Sequence, residues 1–249
     1  MTEPRASVHG REVDKPVAQR QNRLSGVHDA SWMLDLCCCA GGATRGLQDL
    51  GYRVCGVDNK PQPNYCGDQF VQADALALLA RWMELGWLER FVGIWASFPC
   101  QRWAAITVRG RENHPDLITP GRELLEETGL PWVMENVPAA PLRDPVMVCG
   151  GALGCVSGDL QLHRHRMFEA NFPLTGTDCV TIRPNTVSVV GHGSPSGNRG
   201  TLGRNPRIAE KREAMGIDWT NRDELSEAIP PAYSSFIWAQ APVALEAAA

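Results

Sequence analysis

The sequence predicts an α/β protein built on a doubly wound, mostly parallel sheet. Three observations predict it. Between residues 32 and 137, short apolar runs alternate with stretches of helical spacing, the pattern of repeated strand–helix–strand units. Asp58, Asp74, Cys100 and Glu135 each stand at or just past the carboxyl end of such a run. Parallel sheets gather these ends on one rim, where ligands bind. The first run also passes through Gly41-Gly42 straight into helical sequence, a strand–turn–helix unit of the kind that receives nucleotides.

Trp32-Met33-Leu34-Asp35-Leu36 is the first strand, and residues 43–50 form the helix after the glycine turn, closed by Gly51. Residues 52–58 are the second strand and 70–74 the third, each ending in an acid. A helix follows over about 75–89. Phe91 to Ala96 is an apolar run with the character of a buried parallel strand. Pro99 removes a backbone donor and holds Phe98 extended, so the chain leaves the sheet there and Cys100 sits on a stiff turn. A polar loop covers about 102–118, a helix 121–129, and a strand 131–137. Beyond residue 145 the pattern loosens into strand and turn pieces at 146–151 and 162–169 and a Gly/Ser/Asn/Pro-rich loop at 191–206. A helix near 206–216 precedes Pro230-Pro231, which breaks the chain before a last apolar helix.

The 249 residues suffice for one large domain with a small appendage. Residues 1–29 carry Arg5, Arg11, Lys15, Arg20 and Arg23 among polar neighbours and are expected to be a flexible extension. No apolar window is long enough to span a bilayer, so no membrane partner is expected. Nine cysteines without a secretion signal point to free thiols in a reducing, cytoplasmic setting. Cys37-Cys38-Cys39 are too close in sequence to surround one tetrahedral metal, and no C-x-x-C pair exists, so no metal is expected. A net charge of −4 does not mark a nucleic-acid binder in bulk. Arg199, Arg204, Arg207, Lys211 and Arg212 nevertheless form a basic strip, either a solvated face or a line of phosphate contacts.

The rim residues suggest chemistry. An acid after the second strand, Asp58, can bond a ribose hydroxyl, and Asp74 can accept from an adenine amino group, though a lone strand-end acid is more often a helix cap. Cys100, a structural cysteine if taken alone, gains meaning beside Glu135. A thiolate adds to an electron-poor ring carbon, and a carboxylic acid of raised pKa can protonate the ring nitrogen. Asn136 beside it can fix the loop. Arg164 and Arg166 alternate on one strand face and offer forked donors to a carbonyl or phosphate, or form a plain basic patch.

These segments, in this order, resemble the motif set of DNA (cytosine-5) methyltransferases of the compact phage and actinobacterial type. Asp35-Leu36-Cys37-Cys38-Cys39-Ala40-Gly41-Gly42 resembles the family's first motif, and Phe98-Pro99-Cys100-Gln101 resembles its Pro-Pro-Cys-Gln. Glu135-Asn136-Val137 stands intact, Leu162-His163-Arg164-His165-Arg166 resembles Gln-x-Arg-x-Arg, and Glu227-Ala228-Ile229-Pro230-Pro231 resembles the last motif. The resemblance runs from about 32 to 240. It implies a Rossmann-like methyltransferase domain over 30–168 and 206–245, with a short target-recognition region at 169–205. It implies S-adenosylmethionine held by Asp35, Leu36, Cys37, Ala40, Gly41, Gly42, Asp58, Asp74, Pro99, Glu227 and Ala228. It implies Cys100 as nucleophile on C6 of a flipped cytosine, Glu135 on its N3 edge, and Arg166 with Arg164 on its O2 side.

The implied partner is double-stranded DNA, bound by a monomer in a bacterial or phage-infected cell through Gln101, Arg102, Arg109, Arg111, Asn136, His192, Arg199 and Arg204. Loop 102–118 resembles the family's closing catalytic loop. The small recognition region implies a short site of about two base pairs. Cys37 replaces an aromatic, Cys39 a glycine, Phe98 a proline, and Glu227 an asparagine of the family pattern. If position 39 needs positive φ, the cysteine there is strained. Three alternatives stay open at this level: a tRNA cytosine-5 methyltransferase, a catalytically weak nucleic-acid-binding relative, and a thiol redox protein using Cys37–Cys39.

Overall fold

The structure, a computed structural model, describes residues 31–104, 107, 109–189 and 204–242. The N-terminal extension and most of the 191–206 loop lie outside the described residues, and with them His192 and Arg199.

One seven-stranded sheet organises the chain. Its strands are β1 (Trp32–Leu36), β2 (Arg53–Asp58), β3 (Gln69–Gln72), β4 (Phe91–Ala96), β5 (Trp132–Asn136), β6 (Val146–Cys149) and, much later in the chain, a strand at His165–Ala170. Two short strands, β7 (Val156–Ser157) and β8 (Leu160–Leu162), come before that last one, which is therefore β9. The order across the sheet is β3-β2-β1-β4-β5-β9-β6. Strands β1 to β5 run parallel, and β9 is antiparallel to both β5 and β6. The sheet is doubly wound and mostly parallel, as the alternating pattern predicts.

Side chains of successive strand residues leave on opposite faces, and each face has its own core. Met33, Val54, Trp95, Val133 and Phe168 pack with Leu47 of α1 (Gly42–Asp49) and with Tyr233, Ile237 and Trp238 of α6 (Pro231–Trp238). Leu34, Leu36, Val57, Ile94, Ala96 and Met134 pack on the other face with Leu79 of α2 (Ala75–Glu84) and with Ile118 and Leu125 of α3 (Ile118–Glu127). Helix α2 ends earlier than its apolar spacing suggests. Gly86 takes φ 67°, and Trp87–Arg90 turn into a 3-10 helix that feeds β4. Helix α3 begins earlier, because Asp116 accepts from the Ile118 amide at 2.9 Å and caps its start.

A second, three-stranded sheet has the order β10-β8-β7, where β10 is Asn185–Val187. It draws residues from both sides of position 169, so the small lobe begins before the arginine motif rather than after it. Helix α4 (Ile208–Met215) lies against it, and Ser157 Oγ donates to Glu213 at 2.7 Å. Helix α5 (Arg222–Glu227) then leads back to the large sheet. Among the described residues no helix is long and apolar enough to cross a membrane.

The first and last helices are in unusually close contact. A Cβ on Gly46 would stand 2.1 Å from the Pro231 carbonyl oxygen and from Ser234 Oγ, and one on Gly42 would stand 2.3 Å from the Ile229 carbonyl oxygen. Ser234 and Ser235 donate to the carbonyls of Ala43 and Gly46, each at 2.8 Å. Because backbone meets backbone here, a methyl group cannot be accommodated by a rotamer change. Gly46→Ala is expected to destabilise the fold by about 3 kcal/mol and lower Tm by roughly 6–12 °C. Thermal unfolding of the two proteins side by side checks it, and an unchanged Tm contradicts it.

Candidate active site

The turn that carries Cys100 is held from three sides. Ser97 donates its amide to Leu36 O at 3.0 Å, so the chain stays in register with β1 one residue past β4. The Phe98 side chain is buried against Gly121 of α3, where a Cβ would lie 2.4 Å from its ring. Asn136 Nδ2 donates to Phe98 O at 2.8 Å, and Asn136 Oδ1 accepts from the Val137 amide at 2.9 Å. Beyond Pro99, the Cys100 carbonyl accepts from the amides of Trp103 and Ala104, both at 2.8 Å. The proline-to-phenylalanine change thus puts an anchor in the core. The thiol itself is half-buried at the rim.

Glu135 lies at the end of β5 with only 6% of its surface exposed. Its Oε1 meets Arg166 Nε at 2.9 Å. Ser97 also bonds the carboxyl group, while the Ser97 hydroxyl accepts from Trp95 Nε1 at 3.0 Å. Burial pushes the Glu135 pKa up, and the nearby guanidinium groups of Arg166 and Arg164 only partly reverse it. The Cys100 thiol is also pushed up, first by burial and then by the charge of Glu135. At rest the site therefore favours a thiol beside a carboxyl group able to carry a proton. Ser97 is a site residue that the sequence reading did not single out; its place directly after an apolar strand was the available signal.

A second group of residues surrounds the Cys37–Cys39 turn. Cys37 and Cys39 have φ of 59° and 46°, and Gly41 has φ of 87°. A left-handed conformation costs an L-residue roughly 1–2 kcal/mol, so the strain anticipated at position 39 is present at 37 as well. Backbone bonds hold the turn: Cys38 N to Val57 O at 3.1 Å, and Gly41 N to Cys38 O at 2.9 Å. Asp58 accepts from the Cys39 amide at 3.1 Å and from the Lys60 amide at 2.9 Å. Trp219 Nε1 closes the far side by donating to Ala40 O at 2.9 Å. Asp35, Asp58 and Asp74 all act on the Cys37 thiol, and Asp58 and Glu227 on the Cys39 thiol. Burial is the larger influence. Together they push both thiols up, which disfavours the thiolate that redox exchange needs.

This turn has the attributes of a ligand cradle. Asp35 is fully buried, and its Oδ2 accepts from Thr44 Oγ1 at 2.5 Å while Oδ1 has no partner. The first turn of α1 has no side-chain cap and no acid, leaving its amides to a ligand. Leu36 lies buried beneath the turn, and Ala228 approaches Gly42 from the C-terminal segment. The glycine pair is explained by packing: Gly42 meets Ile229, and Gly41 meets Cys66 and Tyr65. Asp74 caps α2 by accepting from the Ala77 amide at 2.9 Å, yet it is exposed on the rim. Pro99 and Glu227 are also exposed on that side.

Several expected ligand contacts are internal instead. Arg164 does not reach into the site. It is buried and donates to the carbonyls of Val189, Ser226 (3.0 Å) and Ala228 (2.9 Å). Its pKa falls to about 9, chiefly through burial and then through Arg166. Asn136 is buried and committed to the Cys100 turn, so it is not a nucleic-acid contact. Arg102 donates to His114 O at 2.8 Å, and Arg111 to Thr107 O and Ala104 O at 2.5 and 3.2 Å. Both guanidinium groups shape loop 102–118 rather than face outward unpaired. Arg204 pairs with Glu210 at 2.5 Å. Gln101 and Arg109 are exposed and close in sequence to Cys100.

No protein-family model matches the chain, and no curated protein does. Solved structures do. A prophage-encoded Escherichia coli protein described as a DNA modification methyltransferase superposes with a TM-score of 0.57 at 15% identity, covering 87% of this chain and 100% of that one. The Schizosaccharomyces pombe Dnmt2 methyltransferase gives 0.56 at 12% identity, covering 88% and 99%. A mutant Spodoptera frugiperda DNMT2 gives 0.53 at 11% identity, covering 83% and 98%. The chain thus shares its fold with these methyltransferases.

The buried Asp35 gives a pH signature. Desolvation pushes its pKa up to about 7; Thr44 pulls it down, and Asp58 pushes it further up. A carboxyl whose folded pKa is raised costs nothing below its unfolded pKa. It destabilises the fold increasingly from about pH 4 and fully above about 7. The cost at pH 8 is on the order of 4 kcal/mol. Asp35→Asn is expected to match the parent near pH 4.5 and to exceed its Tm at pH 8. Equal Tm-versus-pH slopes for the two proteins would count against it.

Proposed function

We propose that this protein transfers a methyl group from S-adenosylmethionine to C5 of cytosine in double-stranded DNA, through a covalent adduct on Cys100. The observation that carries the reading is the buried Glu135–Arg166 pair at 2.9 Å beside the Cys100 thiol. A nucleophile, a protonatable carboxyl group and a forked cation within one small region suit a pyrimidine ring. The fold likeness to nucleic-acid and Dnmt2 methyltransferases supports the same class.

The cofactor would lie along Asp35, the 37–42 turn, Asp58 and Asp74, with Glu227 and Ala228 closing the far side. Both Asp58 oxygens retain a lone pair for ribose hydroxyls beyond the amides that they already accept. The acids gathered around the turn suit a cationic sulfur, and the uncapped start of α1 suits a carboxylate. When bound, the cofactor supplies an electrophilic methyl group.

Cys100 loses its proton to solvent and forms a bond to C6 of an extruded cytosine. Glu135, held by Ser97 and Arg166, delivers its proton to N3 as that bond forms, so the ring accepts the electron pair without becoming an anion. Arg166 keeps its guanidinium beside the O2 and carboxylate oxygens. After C5 has gained the methyl group it gives up its hydrogen to solvent. The electron pair re-forms the C5–C6 double bond, the C6–S bond breaks, and Glu135 recovers the N3 proton.

Incubation with S-adenosylmethionine and duplex DNA carrying 5-fluorocytosine tests the proposal, because fluorine cannot leave as a cation and the adduct accumulates. A stable protein–DNA adduct is expected, and none with Cys100→Ser. Glu135→Gln is expected to lower kcat by roughly 10²–10⁴-fold while the protein still binds the cofactor. An adduct formed on fluorinated RNA but not on DNA moves the substrate to RNA. No cofactor binding by calorimetry would sink the enzymatic reading altogether.

A further inference from the structure

We propose that Cys149, His165 and Cys179 form a binding site for a thiolate-preferring divalent cation, zinc, which fastens the 177–183 segment to the large sheet next to Arg166. The three side chains come from separate parts of the chain. Cys149 ends β6, His165 begins β9, and the two face each other directly in the β6–β9 register. Cys179 arrives on the segment between β9 and β10. Their ligating atoms all lie within 4.8 Å of one another.

The distances suit a tetrahedral ion. Zn–S bonds of about 2.3 Å and Zn–N bonds of about 2.0–2.1 Å place two sulfurs about 3.8 Å apart and a sulfur and nitrogen about 3.5 Å apart. Here Cys149 Sγ and Cys179 Sγ are 3.6 Å apart, and His165 Nε2 and Cys179 Sγ 3.2 Å. The sulfurs are too far apart for a disulfide, whose S–S bond is about 2.05 Å. Two thiolates and a neutral imidazole balance a dication, and binding releases the two thiol protons. The His163 ring lies next to the site, its centroid 4.6 Å from that of His165.

The surroundings hold these ligands in place. Thr177 Oγ1 accepts from the Cys149 amide at 2.9 Å, and the Thr177 amide donates to Met147 O at 2.7 Å. On the other side of Cys179, the Gln161 side chain donates to Val180 O at 2.9 Å and accepts from the amides of Ile182 and Arg183 at 2.5 and 2.9 Å. Cys179 is thus fixed at both flanks while remaining exposed itself. Arg166 Nη1 donates to His165 O at 2.9 Å, which couples the site to the cation beside Glu135.

The test uses the full chain, purified under reducing conditions without chelator. Zinc stoichiometric with the chain is expected by elemental analysis. After chelation, cobalt chloride is expected to restore the visible bands of tetrahedral cobalt and the near-ultraviolet thiolate charge transfer. Cys179→Ser, at an exposed position, is expected to lose the charge-transfer intensity and tight metal retention with an unchanged circular dichroism spectrum. Cys66→Ser is expected to keep both. Wild-type protein that shows neither zinc nor a cobalt spectrum overturns the proposal. So does a cobalt spectrum unaltered by Cys179→Ser, which would put the metal elsewhere.

Discussion

The buried guanidinium of Arg164 ties together three parts of the molecule that share one apolar core. Its donors reach the carbonyls of Val189, beyond the small sheet, and of Ser226 and Ala228, at the end of α5. Its own carbonyl accepts from the Tyr233 hydroxyl of α6 at 2.5 Å. A desolvated cation is costly, and here carbonyl dipoles at its two terminal nitrogens, Nη1 and Nη2, offset part of that cost. The position of the small sheet relative to the rim follows from that cluster of bonds. So does the path of the chain into Ala228-Ile229, which closes against Gly42. Arg166, two residues on, is left free to face Glu135 because Arg164 is committed elsewhere.

The rim divides electrostatically. Around the Cys37–Cys39 turn, Asp58, Asp74 and Glu227 gather negative charge. Around Cys100, the Arg166 guanidinium meets the Glu135 carboxyl, with the Arg164 charge acting on it from farther back. On the proposed function, a cationic methyl donor belongs in the first half and the pyrimidine ring in the second. The strand order fixes their separation, since β1 and β4 are neighbours. A second buried pair supports the base-side half from beneath. Arg122 and Glu169 meet at 2.6 Å between α3 and β9, and Glu169 also accepts from the Arg143 amide at 2.8 Å.

The strands, the helices and the rim were legible because they depend on local apolar spacing and on where runs end. Cys100, Glu135 and Arg166 were legible because their order along the chain resembles a known motif set. What a polar side chain bonds to was not legible. Asn136 and Arg164 read as ligand contacts, yet they bond backbone amides and carbonyls, which no sequence pattern displays. Phe98 read only as a departure from a proline of the family pattern; it is an anchor because Gly121, distant in sequence, leaves room for its ring. Cys149, His165 and Cys179 share no short spacing, so only the antiparallel return of β9 brings them together. The small sheet escaped notice for a similar reason, since strands as short as Val156–Ser157 have too few residues to establish a period.

The contact between α1 and α6 has a consequence for synthesis. The glycine face of the first helix is complete early, but the backbone that fills it belongs to residues near 230. While the chain is being made, the cradle around the 37–42 turn therefore has an open wall, and Trp219 has yet to cover Ala40. Loop closure across most of the chain must come late. The site that would hold the cofactor is consequently among the last parts to be finished. An incomplete chain would present an apolar sheet face with neither the ligand nor the helix that belongs on it.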